Sequence, residues 1–213
     1  MRPLKIAFSM AAADADGICL SQTPAAGGVQ SLTINGVLAA GGVATMDVAR
    51  RVSITSAGND SGRTFTVTGT DRYGKTQTEA ITGPNTTTVI GAKDFKTVTS
   101  ITIDDNSAGA ITVGSGDEAA TAWIPLDLYR SPVNVSFAVA LSAGASLTYT
   151  VQHTLDNPFD GSAMVALNHA TIAAKTVAGD GGYAMPITAI RLFVENFVSG
   201  TATFSVAQSG LVD

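Results

Sequence analysis

The sequence predicts an all-β protein made of two consecutive antiparallel β-sandwiches, immunoglobulin-like or jelly-roll-like, with an N-terminal arm. Three observations predict it. Apolar residues alternate with polar ones, Thr above all, from one end of the chain to the other, as strands with one buried face require. Clusters of Gly, Pro, Asn, Asp and Ser interrupt that alternation every roughly 8–12 residues, the spacing of small sandwiches. Residues 164–175 alone carry a trace of helical period, and they hold β-branched residues and no clear cap. A chain of 213 residues is long enough to bury a core in each of two such units.

The chain opens on Met1-Arg2-Pro3-Leu4-Lys5 and an apolar run to Ala13, which imitates a secretion signal with Ala13-Asp14-Ala15 as its cleavage site. Leu4, Ile6, Phe8 and Met10 nevertheless alternate with Lys5, Ala7 and Ser9, which is strand periodicity, and the chain stays apolar beyond the supposed site at Ile18 and Leu20. Residues 1–28 are therefore expected to form an arm. A lone strand between small, turn-prone residues is stable when it adds to another sheet, so Ile6 and Phe8 are candidate interface residues.

Residues 29–116 are expected to form the first sandwich. Leu32 and Ile34 open a strand that Asn35-Gly36 turns, and Val52 and Ile54 mark another that ends in the cluster from Ser56 to Gly62. Phe65 and Val67 then point one way, with Thr64, Thr66, Thr68 and Thr70 opposite. Asp71-Arg72-Tyr73-Gly74 has Asp first and Gly last, as a type I turn prefers, and the return strand runs from Lys75 to Ile81. Gly83-Pro84-Asn85 breaks it. Short strands are expected around 87–90, 98–103 and 110–113, a turn of helix at Asp94-Phe95-Lys96, and a linker from Gly114 to Glu118.

Residues 117–213 are expected to form the second sandwich. Val133, Val135, Phe137, Val139 and Leu141 alternate without a break, and Ser142-Ala143-Gly144-Ala145 turns the chain into Leu147, Tyr149, Val151, His153 and Leu155. Asn157 to Gly161 and Gly179 to Gly182 are turn clusters around a less regular stretch. Ile190, Leu192 and Val194 share one strand face, and Ser199-Gly200 turns into Ala202, Phe204 and Val206. Phe65, Val67, Val139, Tyr149, Val151, Ile190, Leu192 and Phe204 are the expected core.

Composition narrows the function. Charged residues are 14% of the chain, against a usual share of about 25%, which suits faces covered by partners and equally a secreted β-protein. The net charge is −5 and, among the 12 basic residues, only Arg50 and Arg51 are adjacent, so a nucleic-acid partner is not expected. No run approaches the roughly 18 apolar residues of a membrane helix, so no membrane partner is expected. The single cysteine, Cys19, excludes an intrachain disulfide; it reads as a small apolar residue or as a reactive thiol or lipid anchor.

Catalytic chemistry finds little here. The two histidines lie apart in sequence: His153 on the apolar face of its strand, His169 beside Asn168 in the irregular stretch. No nucleophile elbow, zinc helix motif or phosphate loop occurs, so no enzymatic activity and no cofactor is expected. Asp14-Ala15-Asp16-Gly17, Asp104-Asp105-Asn106 and Asp117-Glu118 suit calcium or ordinary turns. Trp123, Tyr129, Tyr149, Tyr183 and Phe193 suit a sugar platform or packing. Phe193 is flanked on its own strand face by Arg191 and Glu195, and an apolar ring on a polar face calls for cover by another subunit or by a loop. Arg191, Phe193 and Glu195 are therefore candidate interface residues.

Three passages carry a family resemblance: Arg51 to Asp71 (RVSITSAGNDSGRTFTVTGTD), Leu147 to Asp156 (LTYTVQHTLD) and Pro186 to Leu192 (PITAIRL). Together they resemble small all-β accessory structural proteins of tailed-bacteriophage virions, over most of the chain from about Leu32 onward. The resemblance implies a role on the particle, as a head decoration protein or a component near the head–tail junction. It carries no site residue over. Implied partners are further copies of the chain, as a homo-oligomer, and other virion proteins such as major capsid or neck proteins; the implied location is the virion, assembled in the bacterial cytoplasm. A neck or tail component, a tail-associated glycan-binding module, and a secreted enzyme or adhesin domain stand as alternatives.

Overall fold

The computed structural model describes residues 3–159 and 164–212, and every regular element among them is a strand. In chain order the first strands are β1 (Leu4–Phe8), β2 (Asp14–Gln22), β3 (Gln30–Ser31), β4 (Ala39–Ala40), β5 (Val43–Arg50) and β6 (Val52–Ser56). They continue as β7 (Thr64–Thr70), β8 (Thr76–Thr82), β9 (Thr88–Ile90), β10 (Phe95–Ile103) and β11 (Ile111–Ser115). The remainder are β12 (Ala119–Ala120), β13 (Ile124–Pro125), β14 (Arg130–Leu141), β15 (Ser146–Thr154), β16 (Leu167–Asn168), β17 (Gly179–Tyr183), β18 (Ala189–Ser199) and β19 (Ala202–Val212). The chain is an all-β, antiparallel protein of two β-sandwich units: Ala12–Ala119, and Met1–Ala11 together with Ala120–Asp213.

In the 12–119 unit one sheet runs β4-β5-β10-β7-β8, with β3 on β10, and the other runs β2-β11-β6-β9. Ile18, Met46, Ile54, Phe65, Val67, Phe95, Ile101 and Ile111 fill the space between them, all fully buried. The β7–β8 hairpin pairs from Thr64↔Thr82 to Thr70↔Thr76, with the Thr residues on its outer face. Its turn is held by Asp71 Oδ1, which accepts the N–H of Tyr73 at 2.8 Å and of Lys75 at 2.9 Å, while Gly74 takes a left-handed φ of 80°. Gly69 faces the bulge in β10, where the register shifts between Val98 and Ser100, and a Cβ there would overlap the Thr97 carbonyl oxygen.

In the second unit one sheet runs β1-β19-β14-β17 and the other is built on β18-β15-β16, with β13 on β18. Phe137, Val139, Tyr149, Val151, Ile190, Leu192, Phe204 and Val206 are its core, each 3% exposed or less. All eight core residues expected from alternation are therefore buried.

Five expectations are corrected. Residues 1–28 are not an arm: β1 pairs with β19 from Leu4↔Val206 to Phe8↔Ala202, and β2 pairs with β11, carrying Ile18 and Cys19 into the other core. The first strand does add to a sheet, but to a sheet of its own chain. The sandwiches are consequently not consecutive, since residues 12–119 are inserted between β1 and the rest of its unit. Asn35-Gly36 turns no hairpin; both N–H groups donate to the Ile18 carbonyl, and Asn35 Oδ1 accepts the N–H of Leu20. Phe95 opens a strand, not a helical turn, because its ring is buried. Gly114 to Glu118 is no linker either: Gly114 and Ser115 end β11, and the buried Arg50 guanidinium donates to the Gly116 carbonyl. Residues 164–175 hold the short strand β16 and no helix.

Candidate functional site

The residues expected at an interface are largely consumed inside the chain. Ile6 sits opposite Phe204 and Phe8 opposite Ala202, and Phe8 is buried. Phe193 is only 8% exposed, so its cover is intramolecular. The neighbouring Arg191 places its guanidinium 4.4 Å from the centre of the Trp123 ring and donates from Nε to Gln152 Oε1 at 2.8 Å. Glu195 accepts the Thr150 hydroxyl at 3.1 Å. Of the two covers that an apolar ring on this face called for, the chain supplies its own. Trp123 is thereby explained as packing.

The acidic clusters are loop clamps. Asp105 accepts the N–H of Asn106 and of Gly28, and these backbone bonds, with Arg63 nearby, hold its carboxyl below the usual range. Asn106 Oδ1 accepts the N–H of Gly27 at 2.6 Å, and Asp104 that of Thr64 at 3.0 Å. Asp14 Oδ1 accepts the N–H of Asp16, and Glu118 pairs with Arg51. No group of three or more metal-ligating side chains occurs among the described residues. Cys19 is fully buried, and burial pushes its thiol up to about 12, which makes it a core residue.

The strand register brings together what the sequence keeps apart. His153 on β15 pairs with Leu167 on β16, so the two histidines of the chain meet beside Tyr183 at the end of β17. Tyr183 lies between them, with ring centres 4.8 Å from His153 and 4.9 Å from His169, and Phe137 stands edge-on to His169 at 5.0 Å. The Tyr183 hydroxyl is 3.0 Å from His153 Nδ1. His169 Nδ1 accepts the N–H of Thr171 at 3.3 Å and of Ile172 at 3.2 Å. These groups, with Asn168, Ala184 and Met185, line a cleft of about 490 Å³. Burial, then the nearby His169, lowers the His153 pKa, and burial raises that of Tyr183, so both are neutral in the folded protein at neutral pH.

Large apolar side chains after β15 and β17 are left exposed. Leu155, Phe159, Val165 and Leu167 follow β15, and Met185 follows β17; all five are between 43% and 78% exposed. Leu155 was expected to continue the buried face of β15, but the strand ends at Thr154 and the side chain turns outward. The spacing of Val151, His153 and Leu155 hid this surface, since alternation cannot show where a strand stops.

No family model matches the chain, and no curated protein matches it. Among solved structures it is similar to the N-terminal CBM22-1–CBM22-2 tandem domain of Xyn10C from Paenibacillus barcinonensis, with 13% identity over 95% of this chain and 100% of that one, at a TM-score of 0.24.

Proposed function

We propose that the chain is a non-enzymatic structural protein of a tailed-phage virion, a head decoration or capsid-stabilising protein that self-associates and docks on the particle. The observation that carries this reading is the exposure of Leu155, Phe159, Val165, Leu167 and Met185, large apolar side chains that the chain itself leaves uncovered. Exposed apolar side chains of this size favour burial against a partner. The low charge content and the resemblance in three strand-and-turn passages support the same reading. So does the state of the histidines: His169 Nδ1, the atom a general base would use, is already taken by two backbone N–H groups.

Copy number per particle tests the position. Hundreds of copies fit decoration, whereas about five, six or twelve fit a neck or tail component. Sedimentation of the wild-type chain and of Phe159→Asp and Val165→Asp tests whether these exposed residues are covered by a partner. The reading expects oligomers that dissociate in the variants without loss of folding. Monomers at high concentration, together with absence from purified particles, would overturn it. The second reading, a tail-associated glycan-binding module, is favoured by the cleft that His153, His169 and Tyr183 line.

A further inference from the structure

β1 is seated in its sheet much as a separate peptide would be. It pairs with β19 from Leu4↔Val206 to Phe8↔Ala202 and stands at the end of the order β1-β19-β14-β17. Phe8 and Met10 are buried, Ile6 is half-buried opposite Phe204, and the Ser9 hydroxyl donates to the Gly200 carbonyl at 2.9 Å. Without this segment β19 would keep its pairing with β14, but an open strand edge would replace the seat of two buried apolar side chains. Such an edge favours being refilled by a strand.

The contacts that seat β1 are the same whichever copy of the chain supplies it. Its register partners and the Ser9 clasp all lie within residues 200–206, and the covalent path from β1 to them runs through the whole of residues 12–119. Residues 9–13 join β1 to β2 without regular structure, and Ala11, Ala12 and Ala13 are three exposed small residues in a row. The boundary between the two units falls between Ala11 and Ala12. Short stretches of this kind at the end of an element are where chains hinge. Contact energy is therefore equal in the closed and the exchanged arrangement, and the local concentration of copies decides between them.

We infer that β1 is an exchange strand whose partner is a second copy of this chain. Where copies lie together, Leu4–Phe8 of one copy fills the β19 edge of the next, with Phe8 and Met10 as anchors and residues 11–13 as the hinge. Reciprocal exchange closes a dimer, and head-to-tail exchange builds a ring. Strand exchange rests on the self-association proposed above but not on the virion. It joins copies by backbone pairing at a sheet edge, not by cover of Phe159 or Val165.

The test is disulfide capture in the full chain. Lys5 and Ser205 are register partners, Lys5 exposed and Ser205 half-buried. Cα atoms opposite each other on antiparallel strands lie about 4.5–5.5 Å apart, within disulfide reach. The native Cys19 is fully buried and does not compete. Lys5→Cys combined with Ser205→Cys, oxidised at high concentration and run under denaturing, non-reducing conditions, should give chains linked to one another, as dimers or as a ladder. Ala7→Cys with Thr203→Cys, the next pair on that face, repeats the measurement at a second site. Each single variant lacks the register partner and should stay unlinked; equal yields of linked chains from the single variants would assign the links to collision and overturn exchange. Links confined within single chains, in a sample that sediments as oligomers, would overturn exchange and leave self-association standing. Monomers closed by an internal link at high concentration would overturn exchange and count against self-association as well.

Discussion

Phe8→Ala separates a strand that belongs to a sandwich from one that merely lies near it. Phe8 ends β1, faces Ala202 in the register with β19, and is 8% exposed. Truncating a buried Phe removes the transfer free energy of the ring and leaves a cavity, about 3–5 kcal/mol in a closed core. The residue stands at a strand end where neighbours can relax, so the lower figure, about 3 kcal/mol, is expected. With a urea slope of about 1–3 kcal/mol/M, the unfolding midpoint should fall by about 1–3 M. The chain holds a single tryptophan, Trp123, which packs on Arg191 in the same unit as β1, so its fluorescence reports this transition. A docking arm would contribute nothing to the isolated chain. An unchanged midpoint in Phe8→Ala would refute the placement of β1 in the sandwich, and with it the inserted arrangement of residues 12–119.

Gly69→Ala should destabilise the 12–119 unit by about 1–3 kcal/mol, because the added methyl meets the rigid Thr97 carbonyl at the β10 bulge; a circular-dichroism melt checks it, and an unchanged melting temperature would count against the bulge. Acid should weaken the other unit through His153. Its pKa is lowered by burial and then by His169, against an ordinary value of 6.5, and Tyr183 is the neutral group hydrogen-bonded to it. Below about 6.5 the unfolded chain therefore binds a proton that the native chain resists, so stability is lost as pH falls from 6.5 toward the lowered native value and levels off beneath it. Melting at pH 8 and pH 5 should show a drop that His153→Phe reduces. An identical drop in that variant would assign it to other groups.

The strands whose alternation is long and clean were legible from sequence alone. Phe65 and Val67 against four threonines admit one register only, because a slip of one residue would bury hydroxyls and expose the Phe65 ring. The Asp71–Gly74 turn was equally legible, since Asp side-chain bonding and a left-handed glycine are local requirements. Alternation at Leu4–Phe8 revealed a strand but not its partner. Period two records that one face is buried and is silent about what buries it. β2 escaped for the opposite reason: Ile18 and Cys19 are both buried, which breaks the alternation that would have marked it.

Local pattern thus determined the all-β class, two units' worth of core, and the residues that fill it, because burial of alternate side chains is written along each strand. Tertiary structure decided the rest. The pairing of β1 with β19 spans nearly the whole chain, and the pairing of β15 with both β16 and β18 is what sets His153 and His169 around Tyr183 and links Arg191, Gln152 and Asn168 on the other face of β15. Such contacts depend on which sheet edges remain free once the hairpins have formed, and no residue's neighbours in sequence carry that information.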